Sequence, residues 1–110
     1  MTYEDIVKAA QEAAEKIDTS VISEHAAIQI DVEGEGEGAF YVELDHGWAN
    51  VQPYEYYGHD CKIRTNADTL TVLLSGMLDA ASALSDGKIN VEGNIEKAMV
   101  LATALRTLTE

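Results

Sequence analysis

The chain has 110 residues, 46% of them hydrophobic, with one Pro and one Cys. That suffices for a single domain over residues 1–110 with its own core, and is too apolar for a disordered chain. Twenty acidic residues against seven basic ones leave a net charge of −13, which excludes nucleic-acid binding and disfavours lasting contact with an anionic bilayer.

The first element is a helix over residues 2–18. Thr2 with Asp5 three residues on resembles a capping box, and Ile6, Ala10, Ala13 and Ile17 form one apolar stripe. Residues 26–33 alternate, with Ile28, Ile30 and Val32 opposite Gln29, Asp31 and Glu33, the pattern of a half-buried strand. The run Gly34-Glu35-Gly36-Glu37-Gly38 interrupts it, and Phe40, Val42 and Leu44 begin a second alternation, so the pair predicts a hairpin. His46-Gly47 marks a tight turn before a third strand, Trp48 to Gln52, which Pro53 ends. Tyr54, Glu55, Tyr56, Tyr57 and Gly58 form a loop, and Cys61, Ile63 and Thr65 share one face of a fourth strand.

Thr65 with Asp68 suggests a second capping box, leading a helix through Leu70 and Leu74 that Gly76 would end. Asp79 caps a short helix through Leu84, with Gly87 beyond it. Lys88 to Glu92 is a fifth strand with Ile89 and Val91 facing in. Asn94 caps the last helix, whose apolar face carries Ile95, Ala98, Met99, Ala102, Leu105 and Leu108. The expected fold is α+β: a five-stranded, antiparallel-rich sheet with helices packed on one face.

Little in this order can do chemistry. Gly34, Gly36 and Gly38 follow a strand, but Glu33, Glu35 and Glu37 would repel a phosphate and a strand follows, so the run is an acidic hairpin loop. His59 and Cys61 share a strand face, yet a metal site needs a third ligand such as His46 or His25, which the spacing does not supply. Nothing orients a base for Cys61 as a nucleophile. No catalytic residue, metal or cofactor is expected. Trp48, Tyr54, Tyr56 and Tyr57 could rim a pocket or cover an edge.

Three segments carry a resemblance to a known family. Phe40-Tyr41-Val42-Glu43-Leu44-Asp45-His46-Gly47 closes a hairpin strand on an acidic-x-Gly turn. Asp60-Cys61-Lys62-Ile63-Arg64-Thr65, running on to Leu74-Ser75-Gly76-Met77, joins a polar strand to a helix. Gly87-Lys88-Ile89-Asn90-Val91-Glu92-Gly93-Asn94 is a glycine-bounded strand before the last helix. Together they resemble the sterol carrier protein 2 (SCP-2) family over essentially the whole chain. The resemblance implies a non-enzymatic carrier with an apolar tunnel between sheet and helices, holding a sterol, fatty acid, acyl-CoA or other lipid. On that pattern Phe40, Val42, Ile63, Leu70, Leu74, Met77, Leu78, Met99 and Ala102 are the candidate ligand-binding residues.

Taken alone, the same aliphatic side chains could fill a dry core. The alternative to a carrier is therefore an interaction module with a filled core that binds a protein partner through its acidic surface. A continuous apolar void of about 300 Å³ or more would favour the carrier. An exposed apolar helix face would allow a homodimer. With no apolar run of about 18 residues, no membrane insertion is expected. An acidic N-terminus unlike a secretory signal and a single cysteine fit a cytoplasmic protein.

Overall fold

A computed structural model describes residues 1–109. Helix α1 (Tyr3–Lys16) precedes strands β1 (Ala26–Glu33), β2 (Gly38–Asp45), β3 (Trp48–Gln52) and β4 (Cys61–Asn66). Helices α2 (Ala67–Leu74) and α3 (Ala80–Ser85), strand β5 (Asn90–Gly93) and helix α4 (Ile95–Arg106) complete the order. The sheet runs β3-β2-β1-β4-β5. Three neighbouring pairs are antiparallel, whereas β1 and β4 pair in parallel, with Ile30 opposite Ile63. The sheet is thus mixed but antiparallel-rich.

Register explains the two faces. Ile28 and Ile30 lie opposite Val42 and Phe40 on one side, and opposite Cys61 and Ile63 on the other. Because partners in register share a face, these apolar side chains form one continuous surface, buried by the helices. The opposite face carries Asp31, Lys62, Arg64 and Glu92, with ion pairs Lys62–Asp31 at 3.7 Å and Arg64–Glu92 at 3.2 Å. Residues 53–60 fold over part of that face, where Tyr56 meets Tyr41 edge-on at 5.0 Å and donates its backbone N–H to Gln29. That contact leaves Gln29 buried and hydrogen-bonded.

The helix starts are set by side chains. Thr2 and Asp5 satisfy each other's backbone N–H groups in the expected capping box of α1. The start of α2 differs from expectation by one residue. Asn66, not Thr65, is the cap and accepts the N–H of Thr69 at 2.8 Å. Thr65 is still strand, buried, and its hydroxyl donates to the Lys88 carbonyl. Asp79 and Asn94 cap α3 and α4 as expected. β5 starts two residues later than the alternation suggests, although Ile89 is buried before it. The acidic Gly34–Gly38 loop is a hairpin turn seated on α1: a Cβ at Gly38 would meet the Tyr3 ring at 2.5 Å, and Tyr3 donates its hydroxyl to Ala39.

Candidate functional site

Two of the helix ends shape the interior between sheet and helices. After α2 the Gly76 N–H donates to Leu73 and the Met77 N–H to Val72, with Gly76 at φ +79°. After α3 the Gly87 and Lys88 N–H groups repeat the pattern on Leu84 and Ala83. These are two Schellman turns, in which a left-handed residue satisfies the last carbonyls and swings the chain off the helix axis. Between them α3 lies as a short alanine-rich lid beside α4.

Beneath it lies an apolar cavity of about 60 Å³. Ile30, Phe40, Val42, Ile63 and Val91 form its sheet side. Leu70, Leu73 and Leu74 come from α2, and Ala80, Ala81 and Leu84 from α3. The α4 side supplies Ile95, Ala98, Met99, Leu101, Ala102 and Leu105, and Ile89 closes the edge. Every lining side chain is a hydrocarbon or a thioether, so the site offers burial and dispersion, not polar chemistry.

Of the nine candidate residues, Phe40, Val42, Ile63, Leu70, Leu74, Met99 and Ala102 meet at this cavity. Met77 and Leu78 do not line it. Met77 is 79% exposed because the Gly76 turn carries it outward, and Leu78 borders a separate, more polar space of about 120 Å³ beside Asp79 and Arg106. A second apolar void of about 30 Å³ lies under α1, lined by Ala10, Ala13 and Ile17 together with Leu44 and Val51. Val42, Leu74, Leu101 and Leu105 line both voids. One layer of four aliphatic side chains is therefore all that separates them. Ile95 and Met99 are the cavity residues most open to solvent, at 52% and 37% exposure, and mark its mouth on α4. The first void alone is well below the 300 Å³ of an occupied carrier.

The polar candidates are held elsewhere. Cys61 is fully buried and its thiol is pushed up to about 11, first by burial and then by the Asp60 carboxylate. A thiol so protonated at neutral pH is a poor nucleophile. His25 pairs with Glu43 at 2.8 Å, His46 with Asp45, and His59 Nδ1 lies 2.7 Å from the Tyr56 carbonyl. Among the described residues no group of three or more His, Cys, Asp or Glu side chains is placed to hold a metal ion. Trp48, Tyr54 and Tyr57 are exposed and do not border the cavity.

The glycine-bounded strand has a structural reason. The Asp60 carbonyl accepts the Asn94 N–H at 3.0 Å, and a Cβ at Gly93 would come within 2.8 Å of that same oxygen. The Asp60 carboxylate accepts the Ala27 N–H, so one residue ties β1, β4 and the start of α4.

The architecture is shared with solved proteins. The ubiquinone synthesis protein UbiJ-SCP2 superposes with a TM-score of 0.73 at 14% identity, covering 97% of this chain and 96% of that one. Palmitated SCP2L2 from Aedes aegypti gives 0.70 at 17% identity, covering 96% and 95%. The sec-alkylsulfatase Pisa1 from Pseudomonas sp. gives 0.70 at 16% identity over 84% of this chain, which spans only 15% of the sulfatase. At these identities the likeness concerns the fold. No curated protein matches at the level of sequence. The sequence profile of the SCP-2 sterol transfer family matches residues 6–106, and the chain belongs to that family.

Proposed function

We propose that this protein is a non-enzymatic carrier that takes up the apolar part of a lipid-like molecule between its sheet and helices α2, α3 and α4. The observation that carries the reading is the wholly apolar lining, open at Ile95 and Met99, in a chain of a sterol transfer family; the volume of about 60 Å³ falls short of the 300 Å³ that would favour a carrier by itself. Phe40, Val42, Ile63, Leu70, Leu74, Met99 and Ala102 are its ligand contacts. Burial of each methylene contributes about 0.8 kcal/mol, so a long chain needs no polar anchor inside.

At about 60 Å³ the cavity is too small for a long chain, so the reading requires it to open. Uptake of a chain joins it to the void under α1 by rotating Leu74, Leu101 and Leu105, and lifts the short helix α3. Leucine rotamer changes and a six-residue helix are inexpensive to move beside the energy of chain burial. The described residues contain no helix long and apolar enough to cross a membrane.

Titration with 1-dodecanol, followed by native mass spectrometry, tests this. A saturable one-to-one adduct with wild type is expected. Ala102→Phe, which fills the cavity, should lose the adduct, and Tyr57→Ala, on the exposed loop, should keep it. No adduct with wild type would point to the filled-core interaction module instead.

A further inference from the structure

Met99 lies between the cavity and the surface. The same side chain borders a surface groove of about 270 Å³, lined by Val21, Ser23, Glu24, Glu96, Val100 and Thr103. A chain seated inside and leaving past the thioether therefore brings its polar end into this groove. We propose that the ligand's polar end is a non-anionic, hydrogen-bonding group such as an alcohol, and that the groove beyond Met99 discriminates against carboxylate and coenzyme A heads. This rests on the carrier reading above.

The argument is one of charge and hydrogen-bond type. Glu24 and Glu96 bring two carboxylates to the groove. The nearby cation, Lys97, is already paired with one of them: its Nζ lies 2.9 Å from Glu24 Oε1 and donates to the His25 carbonyl at 2.6 Å, which leaves Glu96 without a basic partner among the salt bridges of the described residues. The groove therefore keeps an excess negative charge, in a chain of net charge −13. A hydroxyl head can donate to the Glu96 carboxylate and bond with the Ser23 side chain. A carboxylate head has no proton to donate at neutral pH and meets like charge. A coenzyme A head multiplies that repulsion through its phosphates.

The test compares 1-dodecanol, laurate and lauroyl-CoA, matched in chain length, by displacement of the neutral dye Nile red at low salt. Dodecanol should displace the dye at a concentration about fivefold lower than laurate or less, with lauroyl-CoA weaker still. Glu96→Gln should narrow the gap, and so should raising the ionic strength, since the Debye length falls from about 30 Å at 0.01 M to about 3 Å at 1 M. Equal or tighter binding of laurate or lauroyl-CoA, or a gap unmoved by Glu96→Gln, would overturn the inference and leave the carrier reading standing. Failure of all three ligands would overturn the carrier reading itself.

Discussion

Gly93 sits at φ +100° with the Asp60 carbonyl oxygen 2.8 Å from where a Cβ would be. Both the backbone angle and the close approach require glycine there. Gly93→Ala is expected to cost about 1–3 kcal/mol in urea unfolding, since the strain cannot be relieved without separating β5 from β4. A loss under a few tenths would mean that the strand end yields. Cys61 gives a prediction of the opposite kind, about protons. Burial pushes the folded thiol up to about 11, above its ordinary value of 9.0, so the native state holds the thiol proton more tightly than the unfolded chain. The stability this represents is complete below pH 9 and declines as pH rises from 9 towards 11. Denaturant midpoints measured across that window should fall for wild type, and Cys61→Ala should flatten the decline. An identical slope in both would remove the thiol from the account.

The elements hold together through their ends. Asp79 caps α3 and also bonds the Arg106 guanidinium of α4 at 3.0 Å. The Arg106 hydrogen bond, followed by the Ser82 N–H, holds the Asp79 carboxyl below its usual 3.8. Its charged form is favoured by folding, so the contribution is present above that value and fades as pH falls through the lower folded one. Asn also caps helices well, so Asp79→Asn isolates the charge. Circular dichroism melts should show wild type more stable than the variant at pH 6, with the gap closing by pH 2. A constant gap would assign the effect to the cap alone. At this scale the sequence is readable where one periodicity dominates. The alternation of Phe40 to Leu44 marks a strand because one face is buried and the other partly open, and that of Ile28 to Val32 marks one by residue type even though the tyrosine loop also buries Gln29. Asn94, Asp79 and Thr2 mark helix starts because short polar side chains satisfy free N–H groups. Thr65 misleads because a buried strand hydroxyl and a capping hydroxyl look alike in sequence, and only the Lys88 carbonyl distinguishes them.

Across the whole molecule, what sequence periodicity cannot convey is which distant elements meet. The parallel pairing of β1 with β4 depends on the chain passing through β2, β3 and the tyrosine loop before returning, and alternation is blind to strand direction. Seven of nine cavity candidates are legible because inward stripes on a sheet and on two helices must converge. Met77 and Leu78 fail because a left-handed turn at Gly76 resets the direction of the chain, so helical spacing no longer applies beyond it. Ile30 lies on the inward strand face with Phe40 and Ile63, whereas Leu84 and Leu101 reach the cavity from outside the stripes that the spacing marks. The voids under α1 and under α3, parted by Val42, Leu74, Leu101 and Leu105, belong only to the assembled structure. The central claim is that a single chain can join them. Methyl-resolved NMR of the whole protein titrated with 1-dodecanol tests it most directly. The account predicts saturable one-to-one shifts, and ligand-to-methyl Overhauser contacts, at Leu74, Leu101, Ala102 and Val42. Shifts confined to surface methyls such as Val72 and Met77, or none that saturate, would contradict it.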